Sequence, residues 1–107
     1  MRWTVLFLNA AVASEFQALP DDMRARLARF FKIVQELRFE ALPRESAKHL
    51  EGKLWELRVT GRDGISRAIY VTASGQRAVI LRVFVKKTQK TPRHEIEIAR
   101  QRAKDVT

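Results

Sequence analysis

The stretch Ala78-Val79-Ile80-Leu81-Arg82-Val83-Phe84-Val85-Lys86-Lys87 settles what kind of chain this is. Its apolar run, rich in β-branched residues, predicts a strand. Strict two-residue alternation sends Val79, Leu81, Val83 and Val85 to one face and Arg82, Phe84 and Lys86 to the other. One face is then core, and the other is an aromatic between two cations. A sheet that packs helices on its apolar side and leaves Arg and Lys beside Phe on an open side has the surface chemistry of a nucleic-acid site.

Working outward, Lys53 to Val59 and Ser66 to Thr72 read as two further strands. Gly61-Arg62-Asp63-Gly64 and Ser74-Gly75-Gln76 are turn material, so the three strands form an antiparallel meander. Trp3 to Leu8 predicts a first strand, and its apolar core is too short for a secretory leader. Ser14 with Gln17 fits a capping box and predicts a short helix to Leu19. Pro20, Asp21 and Asp22 suit the first turn of a second helix, whose stripe Met23, Leu27, Phe30, Phe31, Val34 and Leu37 belongs to the core. Arg24, Arg26, Arg29 and Lys32 fall off that stripe, and a solvated helix face accounts for them as well as RNA contact does. Phe39 to Ser46 reads as loop, and Thr91 with Pro92 opens a last helix carrying Ile96, Ala99 and Ala103. The fold class is α+β in one domain, residues 1–107: strand, two helices, a three-stranded meander completing a four-stranded sheet, and a C-terminal helix. Helices gathered on one face of that sheet leave the other partly open.

The charge balance fits the same picture. Lys and Arg number 21 against 12 acidic residues, a formal charge of +9, and the sequence pI is near 10.9. That is past the value of about 9 that flags polyanion binders, and it implies salt-dependent attraction to phosphate backbones. With no cysteine there is neither disulfide nor thiolate metal site, which suits a cytoplasmic location. No run approaches the ~20 apolar residues of a membrane span.

Two segments carry a family resemblance. Lys48-His49-Leu50-Glu51-Gly52-Lys53-Leu54-Trp55-Glu56-Leu57-Arg58 resembles the central signature of RelE-like toxins in the HigB branch, including their phage-derived relatives. Val83-Phe84-Val85-Lys86-Lys87-Thr88-Gln89-Lys90-Thr91-Pro92, followed by Glu95, Ile96 and Ala99, is similar to the family's F-x-K-K-T-x-K-T-P segment. The resemblance spans essentially the whole chain. It implies a RelE-like fold and the toxin of a type II toxin–antitoxin pair, a ribosome-dependent endoribonuclease that cleaves mRNA in the decoding site without metal or cofactor. It further implies a helix-turn-helix antitoxin as partner, with operator DNA reached only through the toxin–antitoxin complex.

Metal-free RNA cleavage must deprotonate the ribose 2′-OH, stabilise the phosphorane and protonate the leaving 5′ oxygen. Arg clamps phosphate bidentately, and Lys is a compact ammonium able to move a proton. By motif position the resemblance makes Arg58 and Arg67 phosphate or transition-state stabilisers, with a pair to Glu56, two positions away on the same face, as the lesser alternative for Arg58. Lys86 shares the face of Arg82 and Phe84 and is a catalytic candidate. His49 is the fourth, being the side-chain type that titrates nearest neutral pH. Lys48, Lys53, Arg82, Phe84, Lys87 and Lys90 are candidate RNA or ribosome contacts, with Phe84 either stacking on a base or lying in the core. The tail lacks the Tyr or His that some relatives use, and Tyr70 is the only tyrosine, so the general base stays open. A nucleic-acid-binding module without catalysis and a phage-derived accessory protein are the alternative readings.

Overall fold

The computed structural model describes residues 2–107. Strand β1 (Thr4–Phe7) is followed by helices α1 (Ala10–Gln17) and α2 (Asp21–Glu36), then two short 3-10 turns at Phe39–Ala41 and Arg44–Ser46. Strands β2 (Ala47–Glu51), β3 (Leu54–Gly61), β4 (Gly64–Ala73) and β5 (Arg77–Lys86) lead to helix α3 (Arg93–Ala103). The α+β class and its element order stand, with five strands rather than four. The sheet runs β1-β5-β4-β3-β2, β1 parallel to β5 and the other neighbours antiparallel. The added strand, β2, lies at the sheet edge, and its Lys48 and His49 are exposed.

Local chemistry accounts for the helices. Asn9, not Ser14, caps α1, its Oδ1 accepting from Val12 N–H at 3.1 Å. Asp21 and Asp22 occupy the first turn of α2, where carboxylates meet the positive end of the helix dipole. That helix buries Met23, Leu27, Phe31 and Val34, on the order of 10 kcal/mol of gross hydrophobic gain at ~1.5–3 kcal/mol per side chain. Leu37, expected in the stripe, is 64% exposed because the helix has ended at Glu36. Gly61 lets α2 approach the β3–β4 hairpin, since a Cβ there would meet Met23 Cγ at 2.5 Å.

Both faces of the sheet are covered, which corrects the expectation of helices on one side only. Val12 and Phe16 of α1, and Leu27, Phe31 and Val34 of α2, pack with Leu57, Val59, Ala68, Tyr70, Ile80 and Val83. On the opposite face, Ile96 and Ala99 of α3 pack with Leu54, Ile69, Val71, Val79, Leu81 and Phe84.

The same two clusters overturn the strict alternation read into β5. Ile69 pairs with Arg82, but its neighbour Tyr70 pairs with Ile80, so Leu81 and Arg82 together oppose one residue of β4. This is a β-bulge, and it reverses side-chain parity along the strand. Val79 and Leu81 therefore share the α3 face with Arg82 and Phe84, whereas Val83 and Val85 pack on the α1–α2 side.

Candidate RNA-binding and catalytic site

Register fixes which functional side chains can meet. On the α3 face Lys48 lies opposite Glu56, Glu56 opposite Ile69, and Ile69 opposite Arg82. In the next row Arg58 lies opposite Arg67 and Arg67 opposite Phe84. Beyond it Ile65 faces Lys86. Alternation along each strand puts Lys48, Glu56, Arg58, Arg67, Phe84 and Lys86 on this one surface.

Beyond β5 the chain turns back over these residues. Arg67 is fully buried: its Nη2 donates to the Thr88 carbonyl, and its Nη1 lies 3.4 Å from Thr91 Oγ1. Arg58 donates through Nε to Glu56 Oε1 at 2.5 Å and through Nη2 to the Gln89 carbonyl at 2.6 Å. Thr91 Oγ1 donates to Glu56 Oε2 at 2.6 Å, so this threonine, expected to cap α3, closes the cluster instead. The segment Lys87–Pro92 is thus a strap held by two guanidiniums and one carboxylate. The surface expected to be open is closed by this strap and by α3. Burial depresses the Arg67 guanidinium pKa, Glu56 partly restores it, and neighbouring Arg58 depresses it further. Arg67 Nε is buried without an acceptor, a cost that a ligand oxygen would relieve.

Arg82 lies on the same face but in a different setting. It donates through Nη1 to Glu15 Oε2 at 2.7 Å and through Nε to Glu95 Oε1 at 2.6 Å. Arg102 joins Glu15 at 2.8 Å. β1 pairs with β5 only as far as Ile80, and side chains meet the backbone beyond it. Val83 N–H donates to Glu15 Oε1 at 3.1 Å, and the Leu81 carbonyl accepts from Arg102 Nη1 at 2.8 Å. Burial alone would raise the Glu15 carboxyl pKa, but the hydrogen bonds from Arg102, Val83 N–H and Arg82, with the Arg82 charge, hold it below its ordinary value. Arg82, expected as an RNA contact, is here a clamp between α1, β5 and α3, with Glu15 and Glu95 as its partners. Phe84, 8% exposed, is part of the core beneath α3, not a surface platform for a base.

The remaining candidates separate. His49 lies opposite Trp55, on the face away from Arg67, with its Nε2 2.8 Å from the Gly52 carbonyl and its ring 5.1 Å from that of Trp55. Lys53 is in the β2–β3 turn and lines a separate cavity of about 560 Å³ beside Arg100 and Lys104 of the C-terminal segment. Lys87 and Lys90 are exposed on the strap. Tyr70 is buried on the α1–α2 side, stacked on Phe39 at 5.2 Å, and burial pushes its phenol pKa upward. Among the described residues no group of three or more His, Cys, Asp or Glu is placed to hold a metal ion. No helix among them is long and apolar enough to cross a membrane.

Sequence reading left out Glu56 except as a partner for Arg58, and the strap acceptors altogether. The available signal was Glu56 itself, a carboxylate between Trp55 and Leu57 in an apolar strand, since a charge carried inward requires partners.

Residues 14–104 match the family described as "Phage derived protein Gp49-like (DUF891)". No curated protein sequence matches the chain. Two solved structures are similar in fold. One is an arginine-substituted mutant of the E. coli toxin RelE in the free state, at 14% identity and a TM-score of 0.56 with all of both chains covered. The other is the archaeal RelE–RelB complex from Pyrococcus horikoshii OT3, at 23% identity and a TM-score of 0.55, covering 84% of this chain and 100% of that one.

Proposed function

From the premise that the chain belongs to the Gp49-like family of phage-derived proteins and has the RelE fold, we propose that it is the toxin of a type II toxin–antitoxin system. In this reading it is a metal-independent endoribonuclease that cuts mRNA in the ribosomal decoding site. Its partner is a helix-turn-helix antitoxin, through which alone it meets operator DNA, and it works in the cytoplasm. The structural relative solved as a RelE–RelB complex supports a protein partner.

One observation carries the catalytic part: Arg58 and Arg67 are cross-strand neighbours beside a single carboxylate, each with one donor on a strap carbonyl, and Arg67 Nε has no acceptor. Phosphate oxygens are better acceptors for guanidinium than main-chain carbonyls, so RNA can replace the strap once it lifts. Lifting also frees Glu56 Oε2 from Thr91. Glu56 then takes the 2′-hydroxyl proton as the 2′ oxygen attacks phosphorus. Arg58 and Arg67 hold the phosphorane charge. Lys86 gives its proton to the leaving 5′ oxygen, ending at a 2′,3′-cyclic phosphate, while Lys48 beside Glu56 adds positive charge for the backbone. His49 and Arg82 have no part in these steps.

The test is inducible expression with 5′-end mapping of cellular mRNA. Wild type is expected to slow growth and to yield ends within codons, and Arg67→Lys and Arg67→Ala to yield about 10²–10³-fold fewer while still binding ribosomes. If wild-type expression neither slows growth nor cuts mRNA, the nuclease reading is wrong. A second reading, an RNA-binding module without turnover, is favoured by the full burial of Arg67, and it predicts binding without new 5′ ends.

A further inference from the structure

Strand β2 accompanies β3 only from Ala47 opposite Leu57 to Glu51 opposite Leu54. The outer edge of β3 therefore runs unpaired from Arg58 to Gly61, while its inner edge stays laddered to β4. A cavity of about 710 Å³ opens at this edge, with Phe30 and Pro43 among its walls and Arg26, Arg29, Arg58 and Glu45 also lining it. Arg26 and Arg29 are one turn apart on α2 and so share a side of the helix. Arg26 Nη1 donates to the Thr60 carbonyl of the unpaired edge at 2.7 Å. Neither Arg26 nor Arg29 pairs with a carboxylate among the described residues. Two guanidiniums without a carboxylate partner, Arg26 and Arg29, thus stand with Glu45 and with Arg58, itself paired with Glu56, around an aromatic wall.

We propose that this cavity is a nucleotide subsite for single-stranded RNA, with a phosphate between Arg26 and Arg29 and a base against Phe30. The volume exceeds what a lone carboxylate or phosphate needs, and an apolar wall beside guanidiniums suits a base attached to its phosphate. Continuity with the catalytic cluster gives the direction. Arg58 and Gln89 line the cavity and also make the bond that holds the strap. A strand seated here passes Arg58 on its way to Arg67, and a phosphate drawing Arg58 away from Gln89 loosens the strap from this side. The site's role in substrate alignment rests on the nuclease reading, whereas its affinity for RNA does not.

The experiment titrates the full chain into a fluorescently labelled, 2′-O-methylated oligoribonucleotide, which cannot be cut, and follows anisotropy at several salt concentrations. Arg26→Ala/Arg29→Ala is compared with Arg93→Ala/Arg100→Ala, which removes equal charge from α3. The first variant is expected to weaken binding about tenfold or more and to flatten the salt slope by about 0.7, the value for one phosphate contact on a single strand. The control is expected to change affinity by no more than about twofold. Arg26→Gln/Arg29→Gln repeats the measurement with side chains of similar length and excludes a folding defect. Equal weakening by both double variants overturns the site, because net charge alone then explains the affinity. So does oligoglutamate binding with the same affinity and the same dependence on Arg26 and Arg29. The two proposals fail separately. Wild type that binds through Arg26 and Arg29 but cuts no mRNA removes the nuclease and leaves the subsite; mRNA cutting with RNA binding unaffected by Arg26→Ala/Arg29→Ala does the reverse.

Discussion

Two arginine networks share the α3 face of the sheet, and they differ in whether their charges close. Arg82 and Arg102 meet Glu15 and Glu95, two cations against two carboxylates, and the same side chains satisfy backbone groups of β5. Arg58 and Arg67 have only Glu56 as a nearby carboxylate, bonded to Arg58, their further acceptors are neutral groups of the strap, and one buried donor has no acceptor. A closed network has little to gain from an incoming anion. An open one gains a charge-assisted hydrogen bond for every neutral one it gives up. Residue type is the same in both, so arginine content alone does not mark a binding site. What separates the two networks is the balance of charge.

That contrast can be broken at either end. The largest effect is expected at the open network, where Arg67→Ala should lower mRNA cutting by about 10²–10³-fold, the scale of losing a transition-state donor, as read from 5′-end yield per folded molecule. At the closed network Arg82→Ala should instead cost about 2 kcal/mol of stability, because Glu15 and Glu95 lose charge-assisted bonds, with cutting per folded molecule unchanged. Urea denaturation checks the first part, and a cutting defect as large as that of Arg67→Ala would erase the distinction. Acid sharpens it further. The Glu15 carboxyl titrates below its ordinary 4.5 in the fold, so at acid pH the unfolded chain binds more protons than the native one, and stability falls as pH falls through that range. The urea midpoint should therefore drop between about pH 5 and about pH 3 more steeply in wild type than in Glu15→Gln. The smallest effect is expected at His49, on the other face. His49→Gln should leave cutting within about twofold of wild type, not the 10² or more that loss of a general base costs.

Much of the fold was legible because its signals are local. The α2 stripe, the glycine-bounded hairpins and the order of elements follow from helix and strand periodicity and turn chemistry. What failed did so for identifiable reasons. Leu81 gives no sign of a bulge, since apolar residues on both sides of it suit a strand packed by helices on both faces. β2 is polar at an exposed edge, so Lys48 and His49 carry little alternation. The candidate site was half legible: Arg58, Arg67 and Lys86 do share a face, but Arg82 shares it as a structural clamp, and His49 does not share it at all. Arg26 and Arg29, left open between solvent and RNA, are brought together only by the cavity at the β3 edge.

By itself the sequence determined the quantity of positive charge, the helical and extended segments, and the strand that brings Arg58 two residues from Glu56. Only the tertiary structure decided which cations are neutralised. Glu15 reaches Arg82 and Arg102 across 67 and 87 residues of chain, and Thr91 reaches Glu56 across 35. Coulombic and hydrogen-bond energies depend on distances in space, and no local pattern records how a distant carboxylate will be placed when the core packs.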